Sequence, residues 1–234
     1  MKRIGLIGGV SPESTVVYYR LLNAAARRAY GGETSADIII HSLNYGRMYA
    51  YYKASDWPAF KSTVVAAGRG LQAAGADVLA ISSNTTNMAA DDLAAAVGVP
   101  VVFLLETLRD ALRAHGVERP LLLGTPVVME GDFYRPTLRD RFGVETLVPD
   151  ADDRAVVNRI IFDELVEGVV SDKSRQDYVD VIERNKARGA DSVIFGCTEI
   201  GMLLEQRHVD LPAFDTTLIH TEALAQFAFI GETA

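Results

Sequence analysis

Gly75-Ala76-Asp77-Val78-Leu79-Ala80-Ile81-Ser82-Ser83-Asn84-Thr85 is written a second time, with changes, as Gly189-Ala190-Asp191-Ser192-Val193-Ile194-Phe195-Gly196-Cys197-Thr198-Glu199. Aligned on Gly-Ala-Asp, the two copies place Ser83 and Cys197 at one position of the repeat. Each copy runs from a polar turn through a short apolar strand to a reactive side chain. The repetition implies two related halves. If those halves face one another, a small molecule between them meets a hydroxyl on one side and a thiol on the other.

Outward from the repeat, short β-rich runs alternate with longer helical stretches, the pattern of parallel α/β architecture. Strands are expected at 3–8, 37–43, 78–83, 101–105, 120–124, 145–148, 192–196 and 211–214. Their near-continuous apolar character predicts sheets covered on both faces. Amphipathic helices are expected at 16–28, 57–74, 107–115, 153–167 and 174–188. Together these predict two pseudo-symmetric α/β lobes, each a parallel sheet of about four strands flanked by helices, a common sheet size. The first lobe is expected to comprise 1–98 plus 209–234 and the second 99–208, with the active site between them.

The chain has 234 residues, 49% of them hydrophobic, enough for a substantial core. A formal net charge of −8 and the absence of a basic run argue against nucleic-acid binding. The apolar run Ile4–Val10 is too short for a signal-peptide core with its cleavage site, and no stretch approaches the roughly 20 apolar residues of a membrane span. A cytoplasmic protein without membrane attachment is expected. One cysteine cannot form an internal disulfide, and His41, His115, His208 and His220 show no metal-ligand spacing, so no metal is expected.

Ligands of open parallel sheets sit beyond the carboxyl ends of the strands, where Ser83 and Cys197 fall. A helix start after Cys197 is expected to favour its thiolate, and the same N–H groups can hold a carboxylate. On position alone, an inert core cysteine accounts for Cys197 as well as a functional one does, and a serine such as Ser83 is more often a helix cap than a catalyst. Their equivalence in the repeat is the reason to read them as functional. The loop Gly8-Gly9-Val10-Ser11-Pro12 fits neither nucleotide-binding spacing; Ser11 and Pro12 suit a helix start, and the glycines either admit a small ligand or make the turn. Thr125, after Gly124, is the counterpart of this element in the second half. Arg47 can clamp a carboxylate. Tyr49, Tyr51, Tyr52 and Trp57 read as packing or a subunit contact, with Tyr52 a candidate pocket residue. Asp215-Thr216 can orient a neighbouring group, and His220 reads as helix surface or packing.

Taken together, Gly8-Gly9, Ser83-Asn84-Thr85, Gly124-Thr125 and Gly196-Cys197-Thr198-Glu199 resemble the aspartate/glutamate racemase family end to end. Glu13-Ser14-Thr15, Asp132-Phe133-Tyr134 and Phe214-Asp215-Thr216 are similar to its L-specific branch, which carries threonine at the position of Ser83; Val128 departs from that branch, where threonine is usual. The resemblance implies a pyridoxal-independent enzyme with no cofactor, working on a small acidic amino acid as a homodimer. Ser83 and Cys197 correspond to the family's two catalytic residues. Val10, Ser11, Arg47, Tyr52, Asn84, Thr85, Thr125, Thr198 and Glu199 are the substrate-binding candidates. Such a reaction takes the α-proton from one face and returns one to the other. A serine hydroxyl is a poor base unless activated, which predicts slow turnover, or exchange on the Cys197 face that outruns inversion. Two other readings stay open: a one-cysteine decarboxylase or isomerase of a small dicarboxylate, and a non-catalytic amino-acid-binding protein.

Overall fold

Apolar runs ending in glycine or a polar turn become parallel strands with helical crossovers. The computed structural model describes residues 1–229. It divides into two compact units, Met1–Leu104 with the segment from His220 on, and Leu105–Ile219. In the first, β1 (Ile4–Gly8), α1 (Pro12–Tyr30), β2 (Ile38–Ser42), α2 (Tyr45–Ala54), α3 (Trp57–Ala73), β3 (Val78–Ile81), α4 (Ala90–Ala96) and β4 (Val101–Val102) follow in order. The strands form one parallel sheet, β2-β1-β3-β4. β1 and β3 are buried at every position, whereas the edge strand β2 is half-buried to exposed. Ser11 caps α1, and Pro12 stands in its first turn, where the missing N–H costs nothing.

The second unit takes in α5 (Leu104–Ala114) from Leu105 on, then β5 (Pro120–Leu123), α6 (Pro126–Glu130), α7 (Tyr134–Pro136), α8 (Ala151–Asp163), α9 (Asp172–Ala187), β6 (Ser192–Phe195), α10 (Ile200–Leu203) and β7 (Ala213–Asp215). Its parallel sheet has the order β5-β6-β7. Leu121, Leu123, Val193 and Phe195 pack against Val157, Ile160 and Ile161 of α8 and Tyr178, Val181 and Ile182 of α9. The last helix, α11 (Thr216–Phe229), supplies Leu224, Ala225 and Ala228 to the core that Ile4, Leu6, Val78, Ala80, Tyr18 and Leu22 form in the first unit.

The expected α/β class with two parallel, helix-flanked sheets is what forms, with four strands in one sheet and three in the other. Residues 145–148 do not make a fourth strand: only Leu147 bridges, to Leu121. The strand expected over 101–105 stops at Val102, because Leu104 already begins the strongly amphipathic α5. The division between units falls at 104/105 and 219/220 rather than at 98/99 and 208/209. β7 hydrogen-bonds to β6 and so stays with the second sheet. Among the described residues, no helix is long and apolar enough to cross a membrane.

The repeated Gly-Ala-Asp has the same structural task in both units. Gly75 (φ +92°) and Gly189 (φ +93°) adopt the left-handed conformation just past α3 and α9. The next residue reaches back five positions, Ala76 N–H to Leu71 O at 3.1 Å and Ala190 N–H to Asn185 O at 3.1 Å, closing each helix in a Schellman motif. The aspartate then pins the neighbouring strand. Asp77 accepts from Arg3 N–H at 2.7 Å, and Asp191 accepts from Glu118 and Arg119 N–H at 2.7 and 2.8 Å.

His220 is a packing residue of the first unit, with no accessible surface. Its Nε2 lies 2.9 Å from Val102 O, which can only accept, so Nε2 carries the proton and Nδ1 accepts from Tyr18 Oη–H at 2.8 Å. Burial lowers its pKa to about 4 against the ordinary 6.5. Between these values the unfolded chain binds a proton that the folded chain refuses, so stability falls as pH drops through that window. Urea titrations at about pH 7.5 and about pH 5 should differ by roughly 2 kcal/mol more in the wild type than in His220→Gln. Equal differences would contradict the assignment.

Candidate active site

Ser83 and Cys197 each stand two residues beyond an inner strand of their sheet, Ser83 after β3 and Cys197 after β6. The approach is held the same way in both. Ser82 N–H donates to Ile7 O of β1 at 3.0 Å, and Gly196 N–H donates to Leu123 O of β5 at 2.7 Å. Both side chains are 8% exposed.

Their chemical surroundings differ. Ser83 Oγ accepts from Thr86 Oγ1–H at 3.0 Å and Thr86 N–H at 3.3 Å, so it caps the 3-10 turn Thr85–Ala89. Asn87 Nδ2 fixes the loop by donating to Ser83 O at 2.7 Å and Ile81 O at 3.1 Å. Donors aimed at Ser83 Oγ stabilise negative charge there and give it no base. Cys197 Sγ instead donates to Glu199 Oε2 at 2.9 Å. Burial first, then the Glu199 charge and hydrogen bond, push the thiol well above its ordinary value. The expected helix-stabilised thiolate is therefore corrected: α10 has four residues and begins only at Ile200, and the nearest charge is a carboxylate.

Tyr134 and Tyr178 stand near Cys197; neither is among the sequence's site candidates, although Tyr134 belongs to the Asp132-Phe133-Tyr134 stretch that carries the family resemblance. Both are wholly buried. Burial, and after it the Cys197 charge, holds each phenol protonated. Tyr178 Oη–H donates to Val157 O at 3.3 Å. Asp215 accepts from Thr217 and Leu218 N–H at 2.8 and 3.2 Å, and a Cβ at Gly201 would collide with its carboxylate. Thr216 Oγ1–H donates to Phe195 O at 2.7 Å, anchoring the end of β6 that presents Cys197.

The remaining candidates are distributed over both units. In the first, Ser11 is buried with Oγ accepting from Ser14 N–H at 3.3 Å, and Val10 beside it is half-buried. Gly9 has φ +86°, and a Cβ there would strike Leu43 O, so the turn itself requires that glycine. Asn84 is buried and Thr85 half-buried in the loop after Ser83. Arg47 is exposed on α2 and lines a cavity of about 430 Å³ with His41, Ser42, Asn44, Ser62 and Thr63. Among the described residues it takes part in no ion pair. Tyr52 is half-buried, stacked on Tyr49 at 6.0 Å and edge-on to Trp57 at 6.1 Å. In the second unit Thr198 and Glu199 are buried, and Thr125 is half-buried at the start of α6. Val128 is buried against the place where a Gly124 Cβ would stand. Among the described residues, no three His, Cys, Asp or Glu side chains converge to hold a metal ion.

Two α/β units with parallel sheets, one presenting a hydroxyl and the other a thiol past an inner strand, form a two-unit α/β scaffold. Residues 7–224 match the Asp/Glu/hydantoin racemase family, and the chain belongs to that family. It is accordingly an isomerase of the racemase type. It is similar to a crystal structure of a candidate Asp/Glu racemase from Yersinia pestis, with 39% identity, TM-score 0.90, and coverage of 97% of this chain and 99% of that one. It is also similar to an aspartate racemase homologue from Pyrococcus horikoshii OT3, with 33% identity, TM-score 0.85 and the same coverage. The broad specificity amino-acid racemase RacX of Bacillus subtilis (strain 168) is 22% identical over 217 residues, covering 92% of each chain.

Proposed function

We propose that this protein inverts the α-carbon of aspartate, glutamate or both, favouring the L-forms, without a cofactor, and that Ser83 and Cys197 are its two acid–base groups. The observation that carries this reading is their equivalence: the same position of the repeat, the same place past an inner strand, the same tie from the preceding N–H to the neighbouring strand. The two are unequal in strength. Cys197 is the competent base once ionised; Ser83, with two donors from Thr86, is suited to give a proton and to carry the resulting charge briefly. Without pyridoxal to absorb the carbanion, hydrogen bonds to the α-carboxylate must do so, and Asn84, Thr85, Thr198 and nearby N–H groups are the candidates.

The acidic side chain needs a second group of donors. Arg47, which has no ion-pair partner among the described residues, is the first choice, followed by Ser11 and Tyr52. Arg47→Ala should raise KM for acidic amino acids about 10- to 100-fold with a smaller change in kcat. An unchanged KM would remove Arg47 from the site. The function itself is tested by incubating the purified protein, with no added cofactor, with L-aspartate and L-glutamate separately and resolving product enantiomers by chiral chromatography. Appearance of the D-form supports the reading. Release of CO₂ or isomerisation would replace it with the one-cysteine lyase or isomerase alternative, and binding without conversion with the binding-protein alternative.

A further inference from the structure

Glu199 stands where it conflicts with the chemistry asked of Cys197. A base needs its thiol ionised, yet the nearest charged group is a carboxylate, 2.9 Å from Sγ and 5% exposed. The repeat shows that this is particular to one half: the residue matching Glu199 in the first copy is Thr85, which has no charge. Tyr134 and Tyr178, which the Cys197 charge also reaches, are held as neutral phenols.

The substrate resolves the conflict. To take an α-proton, Sγ must lie about 3–3.5 Å from Cα. The α-ammonium is bonded to that same carbon, so it falls within hydrogen-bond reach of a carboxylate held against Sγ. We propose that Glu199 is the seat of the substrate's α-ammonium group and that, through the same contact, it keeps Cys197 protonated until substrate arrives. The inference rests on the racemase reading above. When the ammonium takes the carboxylate, the Sγ–H bond to Oε2 is given up and the charge opposing ionisation is cancelled. The thiol proton leaves to solvent, and the thiolate then takes the α-proton to become a thiol again. Glu199 is thus a binding residue for the ammonium and a positioning residue for Cys197. It also selects against dicarboxylates that lack an amino group.

The test compares wild type, Glu199→Gln and Glu199→Asp in two measurements. The first is calorimetric binding of L-aspartate and of succinate, which is the same dicarboxylate without the ammonium. Glu199→Gln should weaken aspartate about 10- to 100-fold while leaving succinate unchanged or tighter, and Glu199→Asp should restore most aspartate affinity. The second is the pH dependence of iodoacetamide alkylation, unambiguous because Cys197 is the sole cysteine. Its midpoint should move to lower pH in Glu199→Gln. Simple structural damage would weaken both ligands alike and would not be rescued. Parallel weakening, or an unmoved alkylation midpoint, overturns the proposal. Wild type that binds neither aspartate nor glutamate overturns the racemase reading itself, a result distinct from either.

Discussion

On the proposed reading, Cys197→Ser should lower α-proton exchange from acidic amino acids by roughly a thousandfold or more while keeping the fold. The substitution is nearly isosteric and leaves the packing of the β6 loop in place. What changes is acidity. A thiol in this site is already pushed up by burial and by Glu199; a hydroxyl starts several units higher and faces the same environment. Serine there offers no accessible anion near neutral pH. In the wild type exchange should therefore rise with pH, since the proposed base is the thiolate and burial beside Glu199 raises the thiol above its ordinary value. Normal exchange by Cys197→Ser, with an unchanged circular dichroism spectrum, would remove Cys197 from the mechanism.

Ser83→Ala should separate exchange from inversion. Loss of the hydroxyl removes the proton donor of the opposite face, so inversion should fall about a hundredfold, while Cys197 continues to exchange the α-proton of one enantiomer with retention. Ser83→Cys should preserve or raise inversion, since a thiol gives and takes protons more readily than a hydroxyl. Because the enantiomers have equal free energy, kcat/KM must change equally in both directions, which provides an internal check. The alanine variant also loses the acceptor of Thr86 N–H, a capping loss of about 1 kcal/mol. That cost falls on stability and is read separately by thermal unfolding. Unaltered inversion in Ser83→Ala would mean that another group returns the proton.

The parts of this protein that repeat were readable from residue types alone. Gly-Ala-Asp marked the two copies as equivalent, and the structure supplies the reason: a left-handed glycine ends a helix and the aspartate accepts the free N–H groups beside the neighbouring strand. Buried strands were legible for a similar reason: Ile4–Gly8 and Val78–Ile81 are apolar on both faces. Segments decided by competition were not. Residues 145–148 have strand-like composition but gain one bridge, and the residues after Val102 turn into α5 because helical amphipathicity outweighs local β preference. In the candidate site, Ser83 and Cys197 were found through the repeat. The sign of the environment around Cys197 was not: a helix start after the strand predicted help for the thiolate, whereas the short α10 and the turn of Glu199 toward Sγ give the opposite. Tyr134 and Tyr178 were not tied to Cys197, for a different reason. Tyr134 is distant along the chain, Tyr178 sits on the helix just before β6, and either one by itself is an ordinary core tyrosine.

The central claim is that a hydroxyl and a thiol work on opposite faces of one α-carbon. Proton NMR in D₂O tests it most directly, with each enantiomer of aspartate and glutamate given separately to the wild-type protein and α-proton loss followed alongside product chirality. The account predicts loss of the α-proton accompanied by inversion, with exchange ahead of inversion because Ser83 is the weaker partner. Intact α-protons on all four substrates, in a protein that is folded and binds them, would contradict it.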